Sequence, residues 1–217
     1  MQSSLFPRSA VTPERAFLWF VAAVFLFHHL PALSGPAGDW IDLLTPFAVI
    51  GAAASVIATE GPGSRALAVA FLSALLYVDG HGIHLAANSI SNEGPHGDAQ
   101  RVAHFWDEEF GHIEVLAGWL GLLAAFCLAE DRRATLARRT AVPTVALLGF
   151  TFFTSTVEGG TWYLFLPATV PFVVWAARTR RPLIVCCAAS MLVAAVLIAV
   201  WAIWQGGVPQ FSQVGYL

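Results

Sequence analysis

The stretch PLIVCCAASMLVAAVLIAVWAIW, from Pro182 to Trp204, contains no charged side chain. A helix rises about 1.5 Å per residue, so about 20 apolar residues cross a hydrocarbon core roughly 30 Å thick. This stretch is long enough to do so. Working back along the chain, comparable runs lie near 16–32, 40–59, 65–90, 104–129, 141–158 and 162–178, which makes seven expected spans. Of the 217 residues, 57% are hydrophobic and 12% charged, and the mean hydropathy is +0.68. No ordinary soluble domain has that composition. The runs are continuous and do not alternate, so a closed β-barrel is excluded. The expected fold is all-α, a single polytopic membrane domain over 1–217. The first span follows Arg8 and Arg15 like a signal peptide, but Phe27 to Pro31 is a poor cleavage site and the span reads as retained.

Arginine sets the orientation, because the chain has no lysine. With seven spans, Arg8, Arg15, Arg65, Arg132, Arg133, Arg138, Arg139, Arg178, Arg180 and Arg181 fall on one side, and Arg101 alone on the other. The positive-inside rule then places the N-terminus in the cytoplasm and the C-terminus outside. The missing lysine also excludes a retinal pigment, whose Schiff base needs that amine. Cys127, Cys186 and Cys187 lie toward the cytoplasmic side and read as small packing residues without a disulfide framework.

The polar residues gather at the opposite end. All seven histidines and ten of the fourteen acids map to the outer half, the exceptions being Glu14, Glu60, Glu130 and Asp131. Ionisable groups inside a bilayer are costly and mark working sites. At about 100° per residue, Tyr77, His81, His84 and Asn88 share one face of the third span. His104, Glu108 and His112 share a face of the fourth, with Asp107 and Glu114 on another stripe. Gly80, Gly82, Gly111 and Gly118 would let the two helices approach closely. Histidines and carboxylates at one level suit a divalent transition metal, with zinc favoured and iron or copper as alternatives. The expected ligands are His81, His84, Glu108 and His112, in a pocket between the third, fourth and fifth spans. Asp79, His104 and Glu114 are extra ligands or supporting groups. Asp107, Glu109 and Glu158 are candidates for a general base. His28 and His29 read as an interfacial pair, and the loop from Glu93 to Asp98 as a solvated connection.

A seven-span bundle with a layer of histidine and acid resembles the layout of the alkaline ceramidase and adiponectin-receptor group of membrane zinc hydrolases. In that resemblance, His84 would take the place of the histidine that closes an early helix, and Asp107 that of the acid opening the next. The group's HxxxH pair on the last span has no counterpart here, since 182–204 contains no histidine. The likeness is one of layout and not of membership.

The expected function is that of a multi-pass metalloenzyme of the cell (inner) membrane, with its site facing the periplasm or exterior. With zinc, three protein ligands and a water would support hydrolysis of a lipid-like or other hydrophobic substrate. With iron or copper, the same ligands would support its oxidation. The rival reading is a metal transporter, chaperone or sensor, or a subunit of a homo-oligomer or larger membrane complex. No nucleic-acid partner is expected.

Overall fold

The computed structural model describes residues 11–33, 37–60, 62–94, 96–130 and 136–216. Seven long helices account for nearly all of them, and there is no strand among the described residues. They are α1 (Pro13–Leu33), α2 (Gly38–Glu60), α3 (Ser64–Asn92), α4 (Asp98–Ala129), α5 (Arg138–Glu158), α6 (Trp162–Thr179) and α7 (Pro182–Gln205). Six are long and apolar enough to cross a membrane; α6 falls short. It has 18 residues, contains Pro167 and Pro171, and carries Arg178 in its last turn. The fourth helix begins at Asp98, six residues before the expected span, and its segment Phe105–Gly111 is wound as a π-helix.

α3 packs along α4, α1 along α2, and α5 along α7, while α6 lies against the outside of α7. Glycine sets the tightest of these seams. A Cβ on Gly118 would stand 2.6–2.7 Å from the backbone and Cβ of Tyr77, and one on Gly80 would stand 2.6 Å from the Cβ of Glu114. The α3 and α4 backbones therefore touch directly, which is how membrane helices gain packing where no hydrophobic effect drives them together.

The two ends of the bundle differ in chemistry. At one end Glu14 of α1 accepts hydrogen bonds from the Ala137 amide (3.3 Å) and the Thr140 hydroxyl at the start of α5. Glu130, just past α4, is buried and accepts the Leu183 amide at the start of α7 at 2.7 Å. A carboxylate there satisfies an amide that the helix leaves unpaired and meets the positive end of its dipole. Burial still pushes the Glu130 carboxyl above the usual glutamate range. Arg15, Arg65, Arg138, Arg139, Arg178, Arg180 and Arg181 belong to this end; Arg8, Asp131, Arg132 and Arg133 lie outside the described residues. The adjoining half of the bundle is filled by Phe17, Phe20, Leu122, Leu123, Phe126 and Ile184, all almost fully buried. Phe20 and Phe126 meet edge to face at 4.8 Å. The three cysteines are buried free thiols. Large apolar side chains such as Phe47, Phe71 and Ile203 are exposed around the outside, as a lipid-facing surface requires.

Candidate metal centre and its cavity

The π-helical segment decides which side chains of α4 face inward. An α-helix stacks residues three and four apart, whereas the i→i+5 bonding of a π-helix stacks residues five apart. Asp107 and His112 are five apart, with the π-turn between them, and both reach the interior together. His104, placed with His112 by α-helical spacing, is exposed, and so is Glu109. Opposite them, α3 presents His84. The three residues each offer one ligand atom, and these atoms lie within 4.8 Å of one another. The His84 and His112 rings are 4.5 Å apart between centroids.

Both imidazoles are held through Nδ1. That of His84 is hydrogen-bonded to Oδ1 of the buried Asp107. In His112 it faces the Glu108 carbonyl at 3.4 Å and the Glu108 carboxylate at 3.7 Å. Fixing Nδ1 leaves Nε2 of each ring for an ion, the usual way in which neighbours orient histidine ligands. His112 is further pinned by close approach of the α5 terminus, since a Cβ on Gly159 would meet its ring at 2.9 Å.

Two prolines arrange the facing wall. Proline has no amide hydrogen, so each frees the carbonyl four residues before it. Pro31 of α1 frees the Phe27 carbonyl, which accepts from the Thr45 hydroxyl at 3.2 Å. Pro46 of α2 frees the Asp42 carbonyl, which accepts from His81 Nε2 at 2.9 Å; the Asp42 carboxylate lies 3.2 Å from the same nitrogen. Two carbonyls that would otherwise be orphaned in a membrane thereby tie α1 to α2 and α2 to α3.

Between the walls lies a cavity of about 700 Å³. His28, His29, Asp42, His81, His84, Asp107, Glu108, His112 and Glu158 all line it, with Phe27, Val115, Trp119, Phe150 and Phe153 as apolar surface. Tyr77 and Trp119 lie seven residues deeper than His84 and His112 on their helices, roughly 10 Å farther in. Over the cavity folds the C-terminal segment. Gly206, at φ 71°, ends α7 in the left-handed conformation that suits glycine. The Gln210 amide then donates to the Glu108 carboxylate and the Glu158 carbonyl, each at 2.6 Å. The Glu158 carboxylate accepts the Phe211 and Ser212 amides at 2.8 and 3.2 Å.

Measured against the expected site, the structure brings His84, Asp107 and His112 together, with Glu108 adjoining. Asp107 arrives as a partner of His84, closer to the centre than a separate base would be. His81 lines the same cavity but is bonded to Asp42, outside the three-residue cluster. Glu158 is occupied with the C-terminal segment. His104 and Glu109 do not line the cavity, because the π-turn rotates them away. Asp79 and Glu114 are also outside it. Asp79 lies five residues before His84 and Glu114 two after His112, so each points roughly 140–200° away from its neighbour. Their carboxyls meet each other on the outer side of the α3–α4 pair instead. The cavity is wider than expected, since α1, α2 and α7 contribute as well as α3, α4 and α5. His28 and His29, read from the sequence as an interfacial pair, also line it.

The chain matches no protein-family model, no curated protein and no solved structure. The likeness of layout noted from the sequence thus carries no family assignment, and the site's chemistry stands on its own geometry.

Proposed function

We propose that the chain is a multi-pass inner-membrane metalloenzyme that hydrolyses a lipid-like substrate at an outward-facing site. In this reading α6 also crosses, its 18 residues rising about 27 Å. The N-terminus lies with the arginines in the cytoplasm and the C-terminal segment outside. The observation that carries the reading is a cluster of two histidines and one carboxylate opening onto a largely apolar cavity within a membrane bundle. Two histidines and a carboxylate, with positions left open for water and substrate, are a ligand set of catalytic zinc. Zinc so held lowers the pKa of a bound water and polarises a carbonyl. The roughly 10 Å of apolar cavity beyond the ligands would receive an acyl chain. The aromatic packing of Phe17, Phe20 and Phe126 in the other half favours an enzyme over a transporter, because among the described residues the cavity gives way there to a packed apolar core.

A second reading is favoured by the same ligand set, which is also that of non-haem Fe(II) oxygenases. Hydrolysis is preferred because it needs only water as co-reactant. The test uses 4-nitrophenyl laurate and membrane vesicles of both orientations. A membrane-impermeant chelator should abolish hydrolysis in right-side-out vesicles, zinc should restore it, and inverted vesicles should be protected. Sensitivity confined to inverted vesicles would reverse the orientation, and no metal-dependent hydrolysis in either would contradict the hydrolase reading.

A further inference from the structure

Five histidines line the cavity, and the structure accounts for four of them. His29 bonds the Phe25 carbonyl at 2.7 Å and the Thr154 hydroxyl at 3.1 Å. His81 is bonded to Asp42, and His84 and His112 belong to the ligand cluster. His28 makes no hydrogen bond among the described residues. It is only part-buried and lines the cavity, edge to face with His29 (4.9 Å between centroids) and tilted against Trp119 (5.8 Å). No protein group among the described residues engages either ring nitrogen, and the ring lines the cavity, so the imidazole is available to a molecule bound there; ionisable groups at membrane depth mark working sites.

Its position limits that task. His28 stands outside the group whose ligand atoms lie within 4.8 Å of one another. It is nevertheless within electrostatic reach of His84 of α3, His112 of α4 and Asp42 of α2. Glu158 of α5 faces the same cavity. A group that lines the same cavity as a metal cluster without joining it, with the Asp42 carboxylate on the same wall, has the placement of a general base acting on a water between them. The carboxylates expected to fill that role are otherwise engaged or turned away, as described above.

We propose that His28 is the proton-transfer residue of this site, with Asp42 stabilising its charged form. This rests on the hydrolase reading. His28 takes a proton from the water as the water oxygen forms its bond to the acyl carbonyl carbon. The carbonyl electron pair moves to oxygen, then returns as the bond to the leaving oxygen breaks. His28 gives its proton to that oxygen, so that ester and water become acid and alcohol, and the imidazole ends neutral.

The experiment compares wild type, His28→Gln and His28→Ala, purified in detergent, for zinc content and for hydrolysis of 4-nitrophenyl laurate. Nitrophenolate leaves without needing a proton, so the assay isolates the base. His28→Gln should retain the wild-type zinc stoichiometry while kcat falls about 10²-fold or more, the usual range for a lost general base. Added imidazole should raise the His28→Ala rate at least about tenfold towards wild type, an effect that a structural role would not produce. Loss of zinc from His28→Gln would make His28 a ligand, and a rate within a few-fold of wild type would remove it from catalysis; either result overturns the proposal. A zinc-loaded wild type inert to the ester would instead contradict the hydrolase reading, a separate failure.

Discussion

Asp107 and His112 owe their meeting to one extra residue in a helical turn. With α-helical winding, Asp107 would lie away from the histidine, and His104 would take its place one turn from Glu108. The π-turn reverses that assignment, as such turns often do where a helix carries function. The consequence is measurable at single residues. Asp107→Asn should weaken zinc binding by at least about tenfold, because the carboxylate orients or joins the ligands. His104→Ala should leave it unchanged. Competition with a fluorescent zinc chelator gives both constants, and equal effects of the two substitutions would put the register in error. This part of the site was not legible in the sequence. Residue types show that histidines and acids converge, but no residue in Phe105–Gly111 announces an i→i+5 turn. The same ideal spacing put His104 on one face with His112, whereas the structure leaves it exposed.

At the scale of the helix pair, glycine holds the ligands of α3 against those of α4. Gly118→Ala would place a methyl group 2.6–2.7 Å from Tyr77. Overpacking of that kind costs about 1–3 kcal/mol. Gly82 is an internal control, because a Cβ there meets nothing within 4 Å. Thermal unfolding in detergent should show a lowered midpoint for Gly118→Ala and none for Gly82→Ala; equal midpoints would mean that the seam is looser than described. The sequence carried most of this level. Apolar runs gave the helices to within a few residues at most ends, and the glycines pointed to close approach. It could not separate Gly82 from Gly118, since both lie on the same two helices and only the packing tells contact from open space. The prolines were equally ambiguous. Pro31 and Pro46 read as helix irregularities until the freed carbonyls of Phe27 and Asp42 find Thr45 and His81 across the cavity.

Across the whole molecule, one end is basic and tightly packed, and the other holds imidazoles and carboxylates around an open cavity. That polarity was plain from where arginine, histidine and the acids fall along the chain. The role of the C-terminal segment was not, because its contacts to Glu108 and Glu158 join residues about fifty and a hundred positions apart. In the proposed function this cavity holds a metal ion on His84, Asp107 and His112. X-ray absorption at the metal edge, on protein purified without chelator, tests it most directly. A bound ion should show nitrogen and oxygen neighbours at about 2.0–2.2 Å and scattering from two imidazole rings. A sulfur shell at about 2.3 Å, which would point to Cys127, Cys186 and Cys187, or protein that binds no metal at all, would contradict it.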